Sequence, residues 1–548
     1  MSDTSAAVRA HAYRGALLTD PIVPGAGILD RLDDWAGDRP EELWLTVVDE
    51  SGDTTELTFG HAADLVGRLT AWLLDSLALK PGDVVGILPA NDSRSVLTIL
   101  ALIRAGCTSF FLRPDEPQQR RAELLAAVDA RAVLAPASWI AERCPGSMVI
   151  PEPSQLPPSE YLPPIPAGEL VFATSGSTAA SKLAAQSHYA AIVNAEALTR
   201  HHGLGPGERV LGCLPICHVN GLHFTVLATL WSGAEAVLLP SFQPLGYRDA
   251  VQRFEPTIAS VVPTILDQLA AAPPIAFGRG FRYFVSAAAP LTSRTVQRVV
   301  DRLGVRVIQG YGLTETTNFS TTLPTDLNEA DYRSLMIDAE VPTVGAALFG
   351  NEVVVLRDDG SIAAPGETGE VCVRGHNVMH GYLGNPEAND AAFSGGWFHT
   401  GDLGHTISGP GDQMLFVLTG RRRNMAKVLG TAISFEEMER RLCELDTVRD
   451  AACFAESDRL RGEAIVAAVV PAPGFDDDDA DEHLSRWFSA AALPVRYIHV
   501  DTVPRTPTGK ILRPELSRIF ATHESPFQEE PRSRMRTGAA PAAGEVGQ

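Results

Sequence analysis

The chain has 548 residues, 45% of them hydrophobic, enough to bury a large core and, at about 150 residues per domain, to build two to four domains. Asp and Glu number 67 against 45 Lys and Arg, a formal charge of −22, so the surface repels nucleic acid and anionic membrane, and no DNA or RNA partner is expected. Seven cysteines, odd in number and without a C-x-x-C pair, exclude a disulfide framework and point to reduced thiols in a cytoplasmic setting.

The first fifteen residues contain no apolar h-region, and the best apolar run, Val96 to Ile103, is too short to span a bilayer, so secretion and membrane spanning are not expected. From Leu57 to Leu112 the period alternates: a helix over His61 to Leu77, a strand at Val84 to Leu88, a helix over Asn91 to Arg104 capped by Asn91, Asp92 and Ser93, and a strand at Cys107 to Leu112. That is βαβ grammar and implies a parallel sheet. A Pro-rich connector, Pro151 to Pro166, reads as an extended surface linker. Strands then follow at Arg209 to Leu214, Glu235 to Leu239, Ile258 to Val262, Arg282 to Ser286 and Arg306 to Gln309, giving a second wound αβ unit. From Thr343 the pattern turns to short alternating strands broken by Asp359-Gly360 and Pro365-Gly366, a β-rich module extending to about residue 419. A domain boundary is expected after Gly420, before a helix beginning near Phe435. The run Asp476 to Asp479 reads as a solvated acidic turn, and residues 523–548, rich in Pro, Gly, Ala and Ser, as a disordered tail.

Five stretches carry chemistry. Val171 to Gln186 reads as a strand end followed by Thr174, Ser175, Gly176, Ser177 and Thr178 and then Lys182. Backbone donors, hydroxyls and an ammonium group in one turn suit phosphate, although a Ser/Thr-rich surface loop has the same composition. In Gln309 to Glu315, QGYGLTE, Tyr311 can stack on a purine, Thr314 can bond a phosphate oxygen and Glu315 can hold Mg²⁺; a tight turn around a core tyrosine is the plainer alternative. Asp402, between Gly401 and Gly404, suits two ribose hydroxyls. Arg421, Arg422 and Arg423, with Lys427 and Gly430, mark a hinge or a basic surface patch. Lys510, in PRTPTGKILR, sits on a Pro-stiffened loop from which it can swing into a distant site and stabilise developing charge.

In order and spacing, from about Leu57 to Arg513, these segments resemble the core motifs of the adenylate-forming superfamily: acyl- and aryl-CoA synthetases, peptide-synthetase adenylation domains and luciferases. The resemblance implies an α/β fold, with a large N-terminal domain (1–420) of two wound αβ subdomains plus a small β-barrel, and a smaller mobile α+β C-terminal domain (421–522) that rotates between half-reactions. It further implies that ATP and a carboxylic acid form an acyl-adenylate and pyrophosphate, and that the acyl group then passes to a thiol. On the same basis Thr174 to Lys182 holds the β- and γ-phosphates, Thr178 and Glu315 serve the metal, Tyr311 and Ala288 (in Ser286 to Pro290, SAAAP) lie near adenine, and Thr314 contacts the α-phosphate. Asp402 and Arg421 take the ribose or phosphate, Gly430 joins the cofactor set, His218 borders the acid pocket, Lys510 bridges carboxylate and α-phosphate, and Arg423 is the hinge. ATP, Mg²⁺ and CoA are the implied cofactors.

One segment departs from the family pattern. The usual Gly, any residue, Pro, Lys, Gly after the hydroxyl run is replaced by Ala179, Ala180, Ser181, Lys182 and Leu183, which restricts φ and puts the closure of this loop on pyrophosphate in question. Two other classes fit less well. A zinc site at Cys213, Cys217, His218 and His223 has an unusual spacing, and a P-loop is contradicted by Pro504 and Ser181 at its signature positions. The sequence therefore predicts an AMP-forming carboxylic acid:CoA ligase. His218, Asn220, His223, Ser286 and Asn318 lean towards an aromatic, hydroxylated or short acid. A carrier protein acting in trans, an amine or a small nitrogen nucleophile is the alternative acceptor, and a nucleotide-binding member with impaired catalysis the alternative function.

Overall fold

The computed structural model describes residues 5–25, 27–137, 139, 147–156, 158, 162–174, 182–458, 460–506 and 508–521. Ser175, Gly176, Ser177, Thr178 and the tail therefore lie outside the described residues.

Two sheets make the large domain. In the seven-stranded sheet, Glu169–Ala173, Thr108–Phe111, Val84–Ile87, Ala132–Ala135 and Met148–Val149 run parallel, and Leu183–Ser187 and Gly381–Tyr382 close one edge antiparallel. The nine-stranded sheet runs parallel from Arg306–Tyr311 through Tyr283–Ser286, Ile258–Val261, Arg209–Gly212 and Glu235–Leu238 to Leu43–Val48, with antiparallel strands on both edges. Their strands are near-continuous apolar runs, as strands covered on both faces must be. The predicted strands lie where the pattern put them. Strand Leu43–Val48, which pairs with residues nearly two hundred positions later, precedes the predicted start at Leu57.

Helix Ser93–Arg104 is capped by Asp92, whose carboxylate accepts from Ser95 N–H at 2.7 Å. Asn91, expected to share that cap, instead ties the sheets together: its amide donates to the carbonyls of Leu214 and Leu239 and accepts from Ile216 N–H. The segment leading to His218 is thereby anchored to the end of the other sheet. The Pro-rich connector is also held, since Arg68 donates to the carbonyls of Pro153 and Leu156, and Arg104 to that of Leu162.

In place of a closed barrel, Asn351–Leu356, Gly369–Gly375, Phe398–Ser408 and Met414–Arg421 form an open antiparallel sheet, bridged to the nine-stranded sheet where Gly345 pairs with Phe416. Its last strand ends at Arg421, so the chain crosses to the small domain at 422–424, just past the expected boundary. The small domain carries five strands between Met425 and His499, with helices Phe435–Cys443, Asp477–Leu484 and Arg513–Ala521. The acidic run begins a helix and is not merely a turn: Asp476 accepts from the N–H groups of Asp478 and Asp479, and the carboxylates that follow favour the positive helix end. Among the described residues, no helix is long and apolar enough to cross a membrane.

The domains meet through ions. Arg294 donates to the Cys443 carbonyl at 3.1 Å and pairs with Asp446 at 3.2 Å, while Glu340 pairs with Arg440 at 2.8 Å and also with Arg441. Inside the small domain, Arg513 grips the buried Glu439 carboxylate, at 2.5 Å on one oxygen and 3.0 Å on the other, and reaches Glu436. Removing one member of such a pair strands a buried charge. Arg513→Met is expected to cost the small domain about 3 kcal/mol in urea unfolding, with Arg513→Lys losing less.

Candidate functional site

The site begins at the C-terminal end of strand Arg306–Tyr311, where the chain must turn in very little space. A Cβ on Gly312 would lie 1.6 Å from the Asn318 carbonyl oxygen, so only glycine fits. The turn continues into the short 3₁₀ segment Thr314–Thr316 and then Thr317 at φ +66°, a rare conformation for a β-branched residue, held by its hydroxyl donating to the Asn377 carbonyl at 2.6 Å. Strained backbone of this kind persists only where the surroundings dictate it.

Two neighbouring segments fix the turn. Strand Leu183–Ser187, which follows the phosphate-loop positions, places Gln186 so that its Nε2 donates to the Thr314 carbonyl at 2.7 Å, while its Oε1 lies 2.9 Å from His223 Nε2. Strand Gly381–Tyr382 pairs with that same strand and brings the Tyr382 hydroxyl to Glu315 Oε1 at 3.0 Å. The ammonium of Lys182 lies 4.6 Å from the Tyr382 ring centre, and Thr174 N–H donates to the Lys182 carbonyl at 2.8 Å. Lys182, Tyr382 and Glu315 thus form one chain from the phosphate loop to the acidic turn. Glu315 Oε2 has no hydrogen-bond partner among the described residues, which fits a carboxylate able to hold a hard cation.

Asp402 is 3% exposed and accepts on both oxygens: from the Tyr311 hydroxyl at 2.8 Å and from Arg421 Nε at 2.7 Å. It reaches that position because strand Phe398–Ser408 slips register against Gly369–Gly375 between Glu370 and Cys372, where Thr400, Gly401 and Asp402 bulge out. Tyr311 is itself only 7% exposed, so its established contact is this bond to Asp402, and little of its ring is open for stacking. Arg423 follows in the turn at 422–424, its pKa lowered by burial and then by Arg421, with Asp402 and Glu315 opposing.

Lys510 arrives from the other domain on a closed loop. Thr506 N–H donates to the Lys510 carbonyl at 2.8 Å, Lys510 N–H to the Thr506 hydroxyl at 3.1 Å, and Arg505 clamps the Gly509 carbonyl and Asp450. Gly509, at φ +82°, lets this loop lie against Thr264 and Ala289 of the SAAAP stretch, a Cβ at 509 falling 3.4 Å from that of Ala289. Burial lowers the Lys510 pKa to about 8; Arg421 and Arg423 act in the same direction, and Glu315 and Asp402 oppose them. Lys510, Glu315, Asp402, Arg421 and Arg423 therefore share one electrostatic environment, although they lie up to 195 positions apart in sequence.

His218 lies within the electrostatic reach of Lys510 and is held neutral, with a pKa of about 4, by burial, with the Arg113 and Lys510 cations adding to the effect. His223 is pushed to about 3 by burial alone, and its Nδ1 has no partner. The ligand atoms of Cys213, Cys217, His218 and His223 do not gather as a metal-ligating group among the described residues. The buried Ser286 hydroxyl, Gln309 Oε1 and Asn318 Nδ2 are likewise without partners. Gly430 stands apart from this cluster. It is exposed at a hairpin tip with Leu429, and the positive φ values of the two, +82° and +50°, explain a glycine there through turn geometry. Tyr382, Gln186 and Arg113 were not singled out from the sequence. Only the Gly381-Tyr382 pair offered a local signal, and it was too common to stand out.

Ala288 adopts φ +72°, a left-handed conformation that alanine pays for and glycine does not. Ala288→Gly is expected to stabilise the large domain by about 1 kcal/mol, read as a higher urea midpoint with an unchanged slope.

A family model described as AMP-binding enzyme matches residues 32–383, and one described as AMP-binding enzyme C-terminal domain matches residues 437–510. Oxalate–CoA ligase of Arabidopsis thaliana is 29% identical over 506 residues, covering 87% of this chain and 94% of that protein. Feruloyl-CoA synthase of an Amycolatopsis species is 30% identical over 481 residues, covering 85% and 94%. Among solved structures, ATP-bound MatB from Rhodopseudomonas palustris superposes with a TM-score of 0.80 at 25% identity over 91% of this chain and 99% of that one. The amide bond synthetase McbA from Marinactinospora thermotolerans gives 0.77 at 28% identity over 90% and 99%. With both of its domains matched, and with Lys510 brought from the small domain to Glu315 and Asp402 of the large one, the chain belongs to the AMP-binding, adenylate-forming enzyme family.

Proposed function

We propose that the protein is an ATP-dependent, AMP-forming carboxylic acid:CoA ligase. The observation that carries this reading is that Lys510, on the small domain, lies within electrostatic reach of Glu315, Asp402 and Arg421 on the large one, in a family whose matched relatives include CoA ligases. A carboxylate is a weak nucleophile, and its target is a polyanion. Catalysis must therefore cancel repulsion and hold the reactants in line. Lys510 supplies a positive charge between the acid and the α-phosphate, Thr314 an adjacent hydroxyl, and Lys182 a charge towards the departing pyrophosphate. Asp402, oriented by Tyr311 and Arg421, offers its remaining lone pairs to the ribose hydroxyls. Mg²⁺, held by Glu315, would supply charge neutralisation at the phosphates. The strained turn at Ala288 would line the adenine in this reading. Thr178 and the hydroxyls preceding it complete the phosphate loop in this reading.

After pyrophosphate leaves, rotation about the turn at Arg423 withdraws Lys510 and opens the adenylate to a thiol. Neutral His218, with the polar groups of His223, Ser286 and Asn318, suits a short, hydroxylated or aromatic acid. A cytoplasmic setting, where ATP and CoA are abundant, fits this chemistry. An amine or carrier-protein acceptor is the second reading, favoured by the likeness to an amide bond synthetase and by the glycine-poor phosphate loop.

Pyrophosphate release with ATP, Mg²⁺ and a panel of acids tests the first half-reaction; tight nucleotide binding without release from any acid would refute it. Comparing CoA, a pantetheine-bearing carrier and simple amines tests the second, and preference for anything but CoA would refute the thioester step. Lys510→Ala is expected to slow adenylate formation by about 10²- to 10³-fold while sparing transfer from a preformed adenylate. Because Lys510 titrates near 8 in the free enzyme, kcat/KM for adenylation should fall tenfold per pH unit above about 8. Arg423→Pro should do the reverse of Lys510→Ala, leaving adenylation intact and slowing transfer by about tenfold or more.

A further inference from the structure

Beside the Asp402 bulge lies a cluster that the adenylation chemistry does not use. Glu370 and Cys372 sit two residues apart on strand Gly369–Gly375, hence on one face, and His399 is the register partner of Cys372 on the neighbouring strand. Cys372 Sγ lies 3.5 Å from His399 Nδ1, and Nδ1 lies 3.0 Å from Glu370 Oε2. One ligand atom from each residue falls within 4.8 Å of the others. Tetrahedral zinc, with bonds of about 2.3 Å to sulfur and about 2.0 to 2.2 Å to nitrogen and oxygen, requires ligand atoms roughly 3.3 to 3.6 Å apart. Two of the three spacings, 3.5 and 3.0 Å, come near these values, and the third lies within 4.8 Å.

Its surroundings orient each ligand. His399 Nε2 lies 3.2 Å from the Ser394 carbonyl, which can only accept, so Nε2 carries a proton and Nδ1 is the atom available to a metal. Glu370 Oε1 accepts from Gly401 N–H at 2.9 Å, leaving Oε2 towards the cluster. Cys372 is fully buried, whereas the side chains of Glu370 and His399 are 13% and 25% exposed, which leaves an opening for entry and for a water as fourth ligand.

We propose that Glu370, Cys372 and His399 form a binding site for a divalent ion of the zinc class, bracing the strand that carries Asp402. Binding releases two protons to solvent, one from the Cys372 thiol and one from the imidazole nitrogen now shared with Glu370, so the net charge of the site is unchanged. The ion takes the carboxylate oxygen that Arg422, on the domain-crossing turn, approaches to 3.7 Å, leaving that arginine to Asp358 at 3.0 Å.

Tag-free full-length protein, stripped with chelator, is titrated with Co²⁺ and separately with Zn²⁺. The expected result is one equivalent of Co²⁺ with a thiolate-to-metal charge-transfer band, displaced by Zn²⁺, and a Zn²⁺-dependent rise in melting temperature. Cys372→Ser should abolish the band and His399→Gln should weaken binding by about a hundredfold or more, each variant first checked for wild-type circular dichroism. No charge-transfer band in the wild type, or a band that survives both substitutions, would overturn the proposal. Should one variant fail to fold, the other and the wild-type titration still decide it.

Discussion

The structure depends on a charge carried across a domain boundary. Lys510 belongs to a loop closed on itself by Thr506 and Arg505, so its ammonium is carried on a hydrogen-bonded turn of the small domain. On arrival it meets two carboxylates, Glu315 and Asp402, and two guanidinium groups, Arg421 and Arg423. Without substrates burial, and after it the cations, disfavour its charge; two bound anions would favour it. The site is thus built for an occupant more negative than the protein that surrounds it.

The acidic residues are not held by their own segments alone. Glu315 depends on Tyr382 from the far edge of the other sheet, and the turn that bears it depends on Gln186 from the strand following the phosphate loop. Asp402 depends on Tyr311 and Arg421. Each supporting group lies on a different strand, so small displacements between sheets would misplace several ligands at once. The loss of glycines around residue 180 is therefore set within a scaffold whose anchors, Gln186 and Lys182, are in place.

Much of this was legible in one dimension. The strands of both parallel sheets could be placed because strands buried on both faces must be apolar throughout and are punctuated by helices of different period. The candidate residues stood out because each motif has a demanding local chemistry: a glycine where the backbone closes to contact, as at 312, or a carboxylate isolated between small residues, as at 402. The supporting residues were not found. Tyr382 and Gln186 are ordinary side chains in ordinary strands, and their importance arises from the antiparallel pairing of Leu183–Ser187 with Gly381–Tyr382. Asn91 was misplaced for a related reason: a polar residue before a helix suits a cap locally, but three backbone groups of the other sheet compete for its amide.

By itself the sequence determined the alternation of strands and helices, because hydrophobic period and local turn chemistry act over a few residues, and its resemblance to a known family set the order of a large domain followed by a smaller one. Only the tertiary structure decided that the β-rich module is an open sheet, that the last strand runs through Arg421, that Asp402 is spoken for on both oxygens, and that Glu370, Cys372 and His399 converge. Those outcomes rest on strand register and on contacts between residues far apart in the chain, and register is set by the whole of a sheet's packing rather than by any stretch of it.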